Sequence, residues 1–151
     1  DRYVLATDHG HGFIVRLEDM ITRNRTGKAV LTVPAGAGVL HPLRIHDMEG
    51  QYLAAATSTG YLLILPLSDL PQMARGKGNK ILHIPPARLK AGEESLVALV
   101  LVDADAPLTV VAGKKTKTMK PEEWRDYLGE RGRRGQRLPR GYQKVDRLQS
   151  G

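Results

Sequence analysis

The stretch Tyr52-Leu53-Ala54-Ala55-Ala56-Thr57-Ser58-Thr59-Gly60-Tyr61-Leu62-Leu63-Ile64-Leu65 decides the fold. Two short apolar runs flank a Ser-Thr-Gly turn, which is the pattern of a β-hairpin. An earlier stretch reads the same way: Tyr3-Val4-Leu5-Ala6-Thr7, the turn Asp8-His9-Gly10-His11-Gly12, then Phe13-Ile14-Val15-Arg16-Leu17. The likeness continues downstream. Glu18-Asp19-Met20 matches Ser68-Asp69-Leu70, and Arg25-Thr26-Gly27-Lys28 matches Arg75-Gly76-Lys77-Gly78-Asn79-Lys80; the copies close at Val33-Pro34 and Ile84-Pro85. A third, divergent copy runs from Leu108 through Gly113 and Pro121-Glu122-Glu123-Trp124 to Arg131-Gly132-Arg133-Arg134-Gly135-Gln136-Arg137. Arg25, Arg75 and Arg131 open the three basic loops, 50 and 56 positions apart.

Val39 to His46 and Leu96 to Val102 are expected to be the strands between copies, and Val145 to Leu148 a closing strand. Four short strands per repeat of roughly 50 residues is the pattern of a propeller-like disc. The expected fold is therefore all-β, with four-stranded blades, about three in this chain: 1–50, 51–95, and a divergent 96–151. Helix is expected only as an insert over Pro121 to Leu128, with Pro at its first position and two glutamates in its first turn. Single helical turns are expected over Glu18 to Thr22 and Ser68 to Met73.

The chain has 151 residues, 41% of them hydrophobic and 26% charged, which suits a folded domain. Beginning at Asp1 instead of Met, it reads as a piece of something longer. With 0 cysteines it has no disulfide, thiolate metal site or cysteine nucleophile. No apolar run reaches the ~20 residues that a membrane-spanning helix needs. The formal charge is +7, and its distribution says more than its size. Residues 1–112 hold 11 basic and 11 acidic side chains, whereas residues 113–151 hold 12 and 5, the entire excess. Within the neutral part, Arg23, Arg25, Lys28, Arg75, Lys77 and Lys80 cluster in two of the repeated loops.

Glycine lets a backbone approach a ligand closely, and Arg and Lys offer charge and donors to phosphate oxygens. Equivalent loops on successive blades would form a rim of cations suited to a curved polyanion such as bent duplex DNA. The candidate contacts are Arg23, Arg25, Lys28, Arg75, Lys77, Lys80, Lys114, Lys115, Lys117, Arg131, Arg133, Arg134, Arg137 and Arg140. Gly113-Lys114-Lys115-Thr116 fails the phosphate-loop pattern at Leu108 and Lys115. His9 and His11 read as turn residues because no cysteine or carboxylate set accompanies them. His41, His46 and His83 are scattered and expected on strand faces. Tyr3, Tyr52 and Tyr61 recur at apolar strand positions and are expected in the core, and Trp124 is expected to anchor the short helix.

Ser68-Asp69-Leu70-Pro71-Gln72 followed by Arg75-Gly76-Lys77-Gly78-Asn79-Lys80-Ile81 resembles the C-terminal domain of bacterial type IIA topoisomerase A subunits in its topoisomerase IV form. So do Arg23 to Lys28 and Gly129-Glu130-Arg131-Gly132-Arg133-Arg134-Gly135. The resemblance spans essentially the whole chain. It implies a β-pinwheel, a disc whose blades exchange strands, with duplex DNA bound across a basic outer rim. It also implies a cytoplasmic, nucleoid-associated bacterial enzyme in which an ATPase B subunit joins the remainder of the A subunit in a heterotetramer. That enzyme decatenates and relaxes DNA. Catalysis, ATP and Mg2+ would then belong to other domains, leaving this chain without cofactor or catalytic residue. The glycine-arginine box of the type QRRGGKG, which the gyrase A subunit needs for wrapping, is absent, Arg131 to Gly135 being its nearest degenerate form. Two alternatives stand beside this reading: a gyrase-type DNA-wrapping domain, and an interaction propeller that contacts a chromosomal protein.

Overall fold

Each apolar run flanking a turn closes into an antiparallel hairpin. β1 (Arg2–Ala6) pairs with β2 (His11–Arg16), β4 (Gln51–Thr57) with β5 (Tyr61–Pro66), and β8 (Leu108–Ala112) with β9 (Lys115–Met119). The computed structural model describes residues 1–20 and 30–151. Each hairpin gains a strand from downstream on its first member: β3 (Leu43–Arg44) on β1, β7 (Leu96–Asp103) on β4, and β11 (Arg147–Ser150) on β8.

The fourth strand comes from the next repeat. β6 (Asn79–Lys80), at the end of the second basic loop, pairs with β2; β10 (Gln136–Arg137), at the end of the third, pairs with β5. The sheets are therefore ordered β3-β1-β2-β6, β10-β5-β4-β7 and β11-β8-β9. The third has three strands among the described residues where four were expected, because no later described segment pairs with β9.

The exchange requires close backbone approach. Gly78 (φ +83°) backs onto the Gly12 carbonyl, and a Cβ at Gly135 (φ +81°) would lie 2.5 Å from the Leu62 carbonyl oxygen. These glycines precede β6 and β10 by one residue and so set equivalent positions. Gly76 and Gly132 also match, both at positive φ, so the third loop carries one extra residue between its glycines.

Burial explains the sequence pattern of the second blade. Leu53, Ala55, Leu63 and Leu65 pack with Val4, Ile14, Ile81 and Leu82 on the first-blade side; Ala54, Ala56, Leu62 and Ile64 pack with Leu108, Val110, Met119 and Trp124 on the third-blade side. A sheet covered on both faces needs a continuous apolar run, not an alternating one. The alanines of β4 let its neighbours approach. Trp124 is fully buried, donates from Nε1 to the Ala106 carbonyl at 2.9 Å, and meets Tyr52 edge-on at 5.3 Å.

Several expectations change in detail. The strand expected over Val39 to His46 shrinks to Leu43–Arg44, since Pro42 has no N–H to donate; Leu40 and Ile45 still donate to Ala6 and Arg2. The insert begins as the helix Pro121–Trp124 and finishes as a 3-10 turn, Arg125–Tyr127. A 3-10 turn at Leu67–Asp69 replaces the single turn expected over Ser68 to Met73, and residues 17–20 are helical. Strand β9 and the helix Pro86–Lys90 were not anticipated.

Gly135→Ala and Gly92→Ala together isolate the close approach. Both glycines have positive φ, a cost to alanine of roughly 1–2 kcal/mol, but only Gly135 faces a backbone wall, whereas Gly92 has open space. Thermal melts should show the Gly135 variant losing at least twice the stability that the Gly92 variant loses.

Candidate nucleic-acid interface

Strand exchange places the basic loops on the outer edges of successive blades. Lys80 stands opposite His11 and Arg137 opposite Tyr61, the first residues of β2 and β5; Lys115 is the first residue of the third outer hairpin strand. The described cations do not all remain free. Arg75, Lys77, Lys114, Lys115, Arg133, Arg137 and Arg140 are exposed. Arg133 pairs with Glu130 at 3.6 Å in an exposed contact, and Arg137 donates to the Thr59 carbonyl at 3.2 Å. Lys80 lies 3.2 Å from His83 Nδ1, and Lys115 and Lys117 each sit 6.0 Å from the Tyr142 ring centroid. Arg23, Arg25 and Lys28 lie outside the described residues.

Two expected rim contacts are held within the fold instead. Arg131 donates to the Asp69 and Lys80 carbonyls, both at 3.0 Å, pinning its loop against the preceding repeat. Arg134 is turned inward. Its two terminal nitrogens meet the two oxygens of Glu94 at 2.7 and 2.8 Å, its guanidinium stacks 3.6 Å from the Tyr61 ring centroid, and Arg88 Nε reaches the same carboxylate at 3.0 Å. The Glu94 side chain is fully buried. Burial alone would raise its pKa. Hydrogen bonds from Arg134, then from the Thr57 and Thr59 hydroxyls, together with the Arg134 charge, reverse that effect and hold the carboxyl at about 2.

Glu94 is the functional-site residue that sequence reasoning missed. Glu93 beside it is exposed and pairs with Arg88 at 3.8 Å. Nothing in the pair Glu93-Glu94 tells which is buried, because Arg134, which Glu94 binds, is 40 positions away.

The aromatic and histidine expectations are corrected similarly. Tyr3 and Tyr52 are half-buried and pack against core clusters, whereas the half-buried Tyr61 carries Arg134 and Arg137 over its ring. His41, His46 and His83 lie off the strands, whereas His11 opens β2. Burial lowers the His11 pKa, helped by the charges of Lys77, Lys80 and His9. Among the described residues no group of three His, Cys, Asp or Glu side chains could hold a metal, and no helix is long and apolar enough to cross a membrane.

Sheets that complete one another's outer edges around basic, glycine-containing loops define a β-pinwheel of the propeller class. Residues 51–103 match the family model described as DNA gyrase C-terminal domain, beta-propeller. Over 97% of its length the chain is 47% identical to the A subunit of DNA topoisomerase 4 from Pseudomonas aeruginosa, of which it covers 19%. The solved E. coli ParC C-terminal domain superposes with a TM-score of 0.89 at 42% identity, over 99% of this chain and 60% of that one. The gyrase A C-terminal domain, with a TM-score of 0.67 at 15% identity over 95% of this chain and 46% of that one, shares the fold. The chain belongs to the family of C-terminal domains of gyrase and topoisomerase IV A subunits, in the topoisomerase IV branch. It spans about a fifth of the length of the curated relatives it matches.

The Glu94 clamp makes stability pH-dependent. A carboxyl held at about 2 in the folded state, against 4.5 ordinarily, contributes stability that is complete above pH 4.5 and lost as pH falls through 2. The shift corresponds to about 3 kcal/mol. Urea unfolding between pH 6 and pH 2 should show this loss in the native chain and a flatter profile in Glu94→Gln. At neutral pH that variant should be about 1–3 kcal/mol less stable, because a neutral amide gives up the charge-assisted bonds to the half-buried Arg134 and the more exposed Arg88.

Proposed function

We propose that this domain binds and bends duplex DNA along its outer blade edges, as part of a topoisomerase IV A subunit. The observation that carries the reading is the equivalent placement of Lys80 and Arg137 on exchanged strands of neighbouring blades, with exposed Arg75, Lys77 and Arg133 in the loops that lead to them. Such contacts go to phosphates and position a duplex without reading its bases. Among the described residues there is also no row of exposed aromatics on which single-stranded bases could stack.

In this reading the chain contributes no catalytic group. It captures a duplex and presents it to the remainder of the A subunit, which works with an ATPase B subunit on the bacterial nucleoid to decatenate and relax DNA. ATP and Mg2+ serve those other parts. Preference for topoisomerase IV over a gyrase-type wrapper draws on the topoisomerase 4 relatives at 47% and 43% identity and on the missing glycine-arginine box.

Fluorescence anisotropy with a duplex oligonucleotide tests this directly. Six phosphate contacts give a log-log slope of affinity against salt of about −5. Arg75→Ala, Arg133→Ala and Arg140→Ala combined should weaken binding equally on unrelated sequences and reduce the slope by roughly one unit per contact removed. Salt-independent binding, or a change in base preference, would overturn the proposal.

A further inference from the structure

The first two blades are built alike, and one difference between them leaves polar atoms without partners. In the second blade, Thr57, Thr59 and Tyr61 surround the hairpin turn, Arg134 and Arg137 arrive on the exchanged loop, and the Glu94 carboxylate lies among them. The corresponding residues of the first blade follow from the hydrogen-bond register. Ser58 exchanges backbone and side-chain bonds with Ser95 as Asp8 does with Gly38, and Thr57 pairs with Leu96 as Thr7 does with Val39. Thr7, His9 and His11 thus occupy the places of Thr57, Thr59 and Tyr61. Lys77 and Lys80, counted from the matched glycines Gly78 and Gly135, occupy those of Arg134 and Arg137. Ala37 occupies that of Glu94.

The carboxylate at the centre of the second-blade arrangement therefore has no counterpart at the matched position of the first. The consequences are visible in the unpaired groups. The Thr7 hydroxyl is fully buried and has no hydrogen-bond partner among the described residues, whereas its counterpart Thr57 acts on Glu94. His11 Nδ1 is also buried and unpartnered there. Among the described residues Lys77 and Lys80 have no carboxylate partner, Lys80 lies 3.2 Å from His83 Nδ1, and both cations, with His9, add to the burial that lowers the His11 pKa. The nearby Asp8 carboxylate instead accepts from the Gly38 N–H at 3.0 Å. A buried hydroxyl without a partner has lost its hydration with nothing to replace it, while Lys77 and Lys80 stay exposed at the edge of the same turn.

The geometry points to an oxyanion site in the first blade, formed by Thr7, His11, Lys77 and Lys80, that takes a phosphate group where the second blade carries its own Glu94 carboxylate. The shared ligand chemistry is a phosphate oxygen set, from a free phosphate ion or from the backbone of a bound duplex. The duplex source rests on the DNA-binding reading above; the free-ion source does not.

Hydrogen–deuterium exchange of the full-length A subunit tests the site, with inorganic phosphate compared against chloride at equal ionic strength and, separately, with a 20-bp duplex. Phosphate at ten times its dissociation constant should slow exchange roughly tenfold in peptides covering residues 3–13 and 75–82. Ala37→Glu places a carboxylate where Glu94 sits in the second blade; it should show that protection without phosphate and gain none on adding it. Thr7→Val, which keeps shape and removes the unpaired hydroxyl, should lose the phosphate response and serves if the first variant does not fold. Protection by both ligands, with phosphate competing against the duplex, assigns the site to the DNA backbone. Protection by phosphate alone assigns it to a free ion. No protection by either ligand in the native chain, or an undiminished response in Thr7→Val, overturns the site. Duplex binding by anisotropy is scored independently, so losing the site leaves the DNA reading intact and losing DNA binding leaves the free-ion site intact.

Discussion

The outer edges of β2 and β5 present unpaired backbone groups that a hairpin cannot satisfy by itself, and the fold depends on meeting that need from the next repeat. The first two blades are thereby incomplete without the repeat that follows each of them. The two-residue strands β6 and β10 are too short to persist alone, so their pairing couples neighbouring blades more than it stabilises either. The glycines at 78 and 135 are required where the exchanged loop crosses the carbonyl of the strand it joins. The position of the cations follows from the same constraint. A loop delivering an edge strand necessarily runs along that sheet edge, which sets Lys80 and Arg137 at matched places on two successive blades.

Not every cation in such a loop is available to a ligand. Arg131 and Arg134 are close to Arg133 in sequence and alike in chemistry, yet the first secures two carbonyls, the second closes a buried carboxylate clamp, and only Arg133 stays exposed. The bidentate Arg134–Glu94 pair, stacked on Tyr61, fixes the loop on the second blade. In the first blade lysine replaces that arginine, histidine that tyrosine, and alanine that glutamate, so the loop is held by its strand pairing and its charge is left uncompensated. Two blades with one topology thus differ at these turns: a buried carboxylate pairs with the arginines of the second, and no carboxylate among the described residues pairs with Lys77 or Lys80 in the first.

Much of this architecture was legible in the sequence because its signals are local. The hairpins around Asp8 to Gly12 and Ser58 to Gly60, the apolar run Leu62 to Leu65, and the recurrence of basic glycine loops each rest on residues within one turn of chain. Lys115 to Met119 escaped notice because it alternates lysine and threonine without an apolar face; it is a strand because β8 offers it five paired positions. The candidate rim was readable only as a set of loops. Which of its arginines face solvent depended on Glu94, whose neighbour Glu93 has the same local surroundings in sequence.

The sequence by itself determined the repeat, its hairpins, its basic loops and the family to which they belong, since these follow from short-range patterning of turn formers, apolar runs and charge. The tertiary structure alone decided which hairpin each described basic loop completes, which of the described cations remain free, and why the Thr7 hydroxyl lacks, among the described residues, the carboxylate that Glu94 offers its counterpart Thr57. Those outcomes are set by contacts between residues 40 to 76 positions apart, whose partners are chosen by the register of exchanged strands and not by any local preference.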